Sequence, residues 1–292
     1  MSVREREPRE TGPLGDARLS EQRTLGAVVS DPVHLAGRGV RALLRQPWFV
    51  AITLVQPVVW LLLFGALFEN VVPAPNGDYI AYLTPGIVVM SALFSSGWAG
   101  MGFITDAERG VLDRLLVSPV RRGSVMTGSL LNQQATTVVQ TLVILVLGFA
   151  TGARFPGGVA VMLVFLASVI LLAAAFASYS NALALLLRSQ ESVIGAVNFV
   201  VLPLSFLSSM LVPTASMPGW IAAIARWNPV DWAVVIGRQT LSAQVDWSVV
   251  GPRFGGLLAL AVVAAALAAL PAAWILLLPS PVGVRLVRRF SV

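Results

Sequence analysis

Six long stretches of this chain contain no Asp, Glu, Lys, Arg or His. A helix rises about 1.5 Å per residue and the hydrocarbon core of a bilayer is about 30 Å thick, so about 20 apolar residues suffice to cross it. Every stretch reaches that length. The sequence therefore predicts an all-α membrane protein with six transmembrane helices, at residues 49–68, 80–104, 124–152, 158–187, 193–212 and 254–278.

The composition favours the same class. Mean hydropathy is +0.81 and only 12% of residues are charged, against about 25% in an ordinary soluble domain. Segments that cross a bilayer must be helices or strands of a closed barrel, and barrel strands are about 10 residues long with alternating polarity. The uncharged stretches are too long and too uniformly apolar for such strands.

All 20 basic residues are arginines, and they are unevenly distributed between the predicted loops. Apart from the five in residues 1–31, eleven fall just before span one, between spans two and three, between spans four and five, or after span six; four fall in the loops on the other side. Because short cytoplasmic loops carry the excess of basic residues, both termini are predicted to be cytoplasmic. The net charge of +6 then points to anionic lipid rather than to nucleic acid.

The region before span one is divided into two parts. Residues 1–31 mix charged residues with Gly and Pro and are predicted to be a flexible cytoplasmic arm, followed by a transmembrane domain over residues 32–292. Residues 33–46 are predicted to lie on the membrane as an interfacial helix, because Arg38, Arg41 and Arg45 fall on one helical face opposite apolar residues. A plain juxtamembrane linker carrying the same charge is the alternative.

The segment between spans five and six, about residues 213–253, holds four of the eight tryptophans. It predicts two short helices, one starting at residues 217–220 and one over residues 230–241. Both are too short to cross, so they are predicted to be an external re-entrant or interfacial hairpin. Tryptophans favour the headgroup region, which makes Trp220, Trp227 and Trp232 candidate interfacial anchors.

Several functions are excluded by residues that the chain lacks. Proton relays place ionisable groups at membrane depth, and the predicted spans have none. A P-loop needs a lysine on the nucleotide phosphates, and there is no lysine. With no cysteine and a single histidine, no metal site is predicted. Energy for uphill transport would therefore come from outside the bilayer, and no enzyme activity is predicted for the chain itself.

One cytoplasmic loop, residues 105–119, carries a recognisable pattern. Thr105 and Glu108 fit a capping box that opens a short helix. An apolar stripe follows, and Ser118-Pro119 would end the helix. Such an amphipathic helix rests on lipid or is offered to a partner protein.

This loop, E-R-G-V-L-D-R-L-L-V-S-P, resembles the signature of ABC-2 type transporter permeases, approximately E-x-G-T-L-E-x-L-x-x-[ST]-P. Val111 and Asp113 are mild departures from it, standing where Thr and Glu are common. The six-span layout also resembles that family, and most of all its daunorubicin and multidrug-resistance exporter subgroup. The matching and neighbouring residues implied to couple to an ATPase are Glu108, Arg109, Gly110, Leu112, Asp113, Arg114, Ser118 and Pro119.

The resemblance implies a permease subunit in a bacterial plasma membrane that exports an amphiphilic compound. It implies two partners: a cytoplasmic ATP-binding subunit that holds ATP and Mg²⁺, and a second permease copy, identical or homologous. A polysaccharide or glycolipid exporter of the same fold, or a secondary transporter that works alone, are the alternatives.

Span three carries a ridge of polar residues at helical spacing, which suits either packing between helices or an amphiphile path. The candidates for a substrate path or dimer interface are Asn132, Gln133, Thr136, Gln140 and, from span five, Asn198.

Overall fold

The computed structural model describes residues 47–68, 79–108, 122–153, 155–187, 189–242 and 244–277, and this part of the chain is helical without strands. The predicted arm, the interfacial helix with Arg38, Arg41 and Arg45, and most of the 105–119 loop lie outside these residues. The helices are α1 (Pro47–Phe68), α2 (Tyr79–Gly97), α3 (Ala99–Glu108), α4 (Arg122–Ala150), α5 (Val159–Leu187), α6 (Gln190–Phe206), α7 (Gly219–Ala225), α8 (Pro229–Leu241) and α9 (Trp247–Leu277).

Four stretches in the described residues are long and apolar enough to cross a bilayer: Tyr79–Gly102, Gly128–Ala150, Val159–Leu187 and Trp247–Ala269. Two further apolar stretches, Leu54–Phe68 and Gln190–Phe206, are shorter. The all-helical membrane class is thus confirmed, and the count of six spans stays a prediction.

Predicted span two is interrupted at Trp98, between α2 and α3. The hydroxyl of Ser180 on α5 donates to Gly97 O and accepts from Gly100 N at 3.0 Å. Met101 N donates to Trp98 O at 3.1 Å, closing a tight turn. A side chain inserted between helical hydrogen-bond partners interrupts the helix. The amino-acid pattern of predicted span two did not indicate this break.

Predicted span five is wrong at its end, because α6 stops at Phe206 rather than at residue 212. Pro203 lies in its last turn, and residues 207–212 form turns and bends. α9 begins at Trp247, seven residues before the predicted start of span six, and it contains nearly all of that span. Apolar composition alone does not separate a helix from an apolar turn whose polar backbone groups are bonded elsewhere.

The bundle is organised around α5, which packs against α2, α3, α4, α6, α8 and α9. α2 is also enclosed, with most of its side chains buried, whereas α9 leaves Leu258, Val262 and Leu267 exposed. We call the end where α3 stops, α4 starts and α5 turns into α6 the motif end. The hairpin end holds the turn between α4 and α5 together with α7 and α8.

The turn between α4 and α5, described at residues 151–153 and 155–158, fits closely against α8. Gly152 and Gly158 have φ of 106° and 80°, which glycine adopts without strain. A Cβ on Gly157 would overlap Thr240 O at the end of α8. The turn between α4 and α5 therefore also fixes the position of α8.

α9 begins with a carboxylate cap that yields a pH prediction. Asp246 Oδ1 accepts from Ser248 N at 2.9 Å and from Ser248 Oγ at 2.6 Å, and these bonds lower the pKa of this exposed carboxyl. The stabilisation is present above the unfolded pKa and is lost as pH falls through the lower folded pKa.

We therefore expect Asp246→Asn, which keeps an acceptor without a titrating group, to show a smaller loss of thermal stability than the wild type between pH 6 and pH 3. Parallel thermal unfolding profiles for the two proteins in detergent would contradict this role of Asp246.

Candidate functional site

The family-like loop begins at the motif end. Glu108 is the last residue of α3, and the other predicted coupling residues, from Arg109 to Pro119, lie outside the described residues. The capping box is wrong: Thr105 lies inside α3, and its hydroxyl donates to Met101 O at 3.0 Å. Thr105 and Glu108 thus lie in the last turn of α3, and they do not start a new helix at residue 105.

At the hairpin end, α8 has polar residues at both of its ends. Asn228 caps it, its Oδ1 accepting from Val230 N at 2.9 Å, and Pro229 occupies the first turn, where its missing N–H costs nothing. Asp231 in the first turn and Arg238 in the last both suit the helix dipole. Between them, apolar residues are buried against α2, α5 and α9.

The polar side chains of α8 bind the turn that follows α6. Asn228 Nδ2 donates to Leu204 O and Leu207 O at 2.7 and 2.9 Å. Asp231 Oδ1 accepts from Ser209 N at 2.7 Å. These bonds satisfy backbone groups that lost their helical partners when α6 ended.

Arg238 completes this network from the other end of α8. Its guanidinium donates through Nη1 to Ser209 Oγ at 2.8 Å and through Nη2 to Ser209 O and Met210 O. Ser209 therefore has its amide, carbonyl and hydroxyl all engaged by α8. The rigid fork of arginine suits such multiple contacts, which a lysine could not reproduce.

α2 reaches the same turn with two tyrosines. The Tyr79 hydroxyl donates to Leu211 O at 3.2 Å, and the Tyr82 hydroxyl donates to Ser209 O at 3.4 Å. Arg238 Nε donates to Tyr82 O at 3.3 Å, and its Cζ lies 3.7 Å from the centre of the Tyr82 ring, a cation–π contact. We call Tyr79, Tyr82, Ser209, Asp231 and Arg238 the Ser209 network.

The predicted tryptophan anchors differ in their surroundings. Trp220 and Trp227 are 63% and 82% exposed at the hairpin end. Trp232, by contrast, is half-buried. Its Nε1 donates to Arg226 O at 2.7 Å, and its ring lies close to Gly256 of α9. Trp232 therefore packs within the protein, while the anchoring role of the other two stays a prediction.

The predicted path residues of α4 share one face of the helix but differ in burial. Asn132 is exposed, and Thr136 is half-buried with its hydroxyl donating to Asn132 O at 3.1 Å. Gln133 Nε2 donates to Ser95 Oγ of α2 at 3.0 Å, and Gln140 is buried. Asn198 lies half-buried on α6. No hydrogen bond among the described residues joins it to the α4 residues.

Sequence reasoning missed the Ser209 network. Arg238 counted only as a loop charge, and Asp231 was not singled out. An informative signal was present: an Asn-Pro helix start followed by one carboxylate and, seven residues later, one arginine in an otherwise apolar helix. Charged residues so placed are buried only when they are partnered.

Comparisons with known proteins agree with this architecture. Daunorubicin resistance ABC transporter permease protein DrrB1 of Streptomyces coeruleorubidus is 29% identical over 229 residues, covering 77% of this chain and 79% of that protein. Doxorubicin resistance ABC transporter permease protein DrrC of Mycobacterium tuberculosis is 29% identical over 186 residues, covering 63% and 67%. The transport permease ycf38 of Cyanophora paradoxa is 31% identical over 194 residues, covering 65% and 67%.

The apolar helices and the polar hairpin packed against them define a helical membrane protein. The ABC-2 type transporter family matches residues 33–241, from before α1 to the end of α8. The chain belongs to the ABC-2 type transporter family, as its 108–119 loop indicated.

Proposed function

We propose that this chain is the membrane-spanning permease subunit of an ABC exporter, which moves an amphiphilic compound out of the cytoplasm. Membership of the ABC-2 family supports this, as do relatives that are drug-resistance permeases. The single observation that carries it is the family match over residues 33–241 of a chain that has no lysine for a P-loop. ATP and Mg²⁺ would bind a separate subunit.

In this proposal the motif end faces the cytoplasm and the hairpin end faces outward, with six spans and both termini inside. The ATP-binding subunit docks on the end of α3 and the connection to α4, where Glu108 and the predicted coupling residues lie. Arginines predominate in the loops of that end, as expected for the cytoplasmic side of a plasma membrane.

A second permease copy would complete the transporter. Asn132 is on an exposed face of α4 and is available to lipid or to that copy. Gln140 is 4% exposed within one chain, so it belongs to the interior of the subunit.

An exporter of glycolipids or polysaccharides is the second candidate within the family, and it is distinguished by the cargo that stimulates ATP hydrolysis. A stand-alone secondary transporter would instead accumulate its solute in liposomes, driven by an ion gradient and without ATP. Accumulation under those conditions, with no ATP-binding subunit added, would overturn the proposed function.

The coupling role of the loop gives a direct test. We expect Glu108→Gln and Gly110→Ala to express normally and to assemble with the ATP-binding subunit, yet to lower the ATP-driven uptake of daunorubicin into inverted vesicles at least tenfold. Glu191→Gln is the matched control, since Glu191 is an exposed carboxylate in the first turn of α6 at the same end. Wild-type efflux in both loop variants would remove the motif from the coupling mechanism.

A further inference from the structure

Three polar side chains on α4 are buried without a hydrogen-bond partner among the described residues. Thr137, Gln140 and Thr141 are 0%, 4% and 1% exposed. The unpartnered atoms are the two threonine hydroxyls and Gln140 Oε1. Spacings of three and four residues place the three side chains on one face of the helix. We call them the seam residues.

The seam residues lie on the inner side of α4, which packs against both α2 and α5. Towards the motif end, Gln133 bonds Ser95 of α2. Towards the hairpin end, a Cβ on Gly148 would meet the side chain of Thr84 of α2. The seam residues fall between these two contacts on the same side of α4, and Ile144 beside them is fully buried.

Packing alone does not account for these three residues. A buried hydroxyl or amide without a partner lowers stability, and each such group in a native protein calls for an explanation. Valine and leucine would fill the same volumes without that cost. Departures from local consistency of this kind concentrate at functional positions.

A contact with a second permease copy does not account for them either. Their burial is complete within a single chain, so no surface is left for another subunit. Gln133, one turn away, shows what a packing amide does in this contact: it forms a hydrogen bond across to α2. The seam residues form none with the described residues.

We propose that the seam residues contact the transported molecule when α2 and α4 separate, and that they receive a hydroxyl or uncharged amine group of it. This inference rests on the proposed export function. Gln140 Oε1 is an acceptor and the two hydroxyls donate or accept, so a group that carries donors satisfies all three. No ionised side chain lies in predicted span three, so a carboxylate or phosphate would find no counter-charge.

The first test measures stability and needs no substrate. Thr137→Val, Gln140→Leu and Thr141→Val are expected to unfold in detergent at the same temperature as the wild type or higher, because each removes an unpartnered polar group. Gln133→Leu is expected to unfold at a lower temperature, because it leaves the Ser95 hydroxyl without its partner. A lower midpoint for Gln140→Leu, equal to that of Gln133→Leu, would overturn the inference.

The second test measures access and uses the absence of cysteine in the chain. Thr137→Cys is compared with Ala173→Cys, which is fully buried on α5, in the complex with the ATP-binding subunit. A water-soluble maleimide is expected to label Thr137→Cys during ATP hydrolysis but not without nucleotide, and to leave Ala173→Cys unlabelled in both states. Protection of Thr137→Cys throughout turnover would overturn the inference.

The third test measures transport with daunorubicin, an amphiphile that bears hydroxyl groups. Gln140→Leu is expected to lower its ATP-driven efflux at least tenfold while ATP-binding-subunit assembly and thermal stability are kept; efflux at the wild-type rate would overturn the seam assignment. Failure of the wild type itself to show ATP-driven transport would count against the proposed function, and the stability comparison would then still decide whether the seam residues are partnered in the fold.

Discussion

Arg238→Met is expected to lower the free energy of unfolding by about 3 kcal/mol, since hydrogen bonds from a charged donor contribute about 1.5–3 kcal/mol each. The substitution leaves Ser209 Oγ, Ser209 O, Met210 O and Tyr82 O without this donor. It also removes the positive charge near Asp231, which is 4% exposed. Unfolding in mixed micelles of mild and denaturing detergent measures the change.

Arg253→Met is the matched control. Arg253 is also half-buried, but its described bond is local, from Nη1 to Val249 O at 2.9 Å one turn earlier. We expect its loss to cost less than about 1 kcal/mol. Equal effects of the two substitutions would show that the Ser209 network contributes no more than an ordinary surface contact.

Gly86→Ala is expected to destabilise the protein by about 1–3 kcal/mol, because a Cβ on Gly86 would overlap Met210 O, a backbone atom that side-chain rotation cannot move. The close approach of α2 to residues 207–212 depends on this glycine. The same detergent unfolding experiment measures the loss.

The same substitution at Gly102 should have the opposite sign. A Cβ there meets nothing within 4 Å, and alanine is favoured over glycine in a helix by about 1 kcal/mol. Stabilisation by Gly86→Ala, or destabilisation by Gly102→Ala of similar size, would contradict the packing of α2 against Met210.

The sequence predicted the helices far better than their ends. Apolar length set α4 and α5 within a few residues, because nothing inside those spans competes with helical hydrogen bonding. Spans two and five were misread because single polar side chains distant in sequence intervene: Ser180 enters the ladder at Gly97 and Gly100, and Arg238 and Asp231 hold Ser209 after α6 has ended. Apolar periodicity carries no information about such long-range bonds.

The candidate sites also differ in how far the sequence could predict them. The loop at residues 108–119 could be recognised because its pattern is local and resembles a family signature. The sequence could not show that Gln133 has a hydrogen-bond partner and that Gln140 Oε1 has none. Both are amides on one polar helix face, and they differ only in whether a polar group of a neighbouring helix lies within reach.

The bonds around Ser209 are unequal in length, and this inequality marks a line of weakness in the bundle. Asn228 and Asp231 hold the turn after α6 at 2.7–2.9 Å, whereas the two tyrosine hydroxyls of α2 reach it at 3.2 and 3.4 Å. Arg238 Nε of α8 also reaches Tyr82 O of α2 at 3.3 Å, so the described hydrogen bonds that join α2 to α8 and to the turn are all among the longer ones. At the hairpin end, we therefore expect α8 and the turn to move as one unit relative to α2.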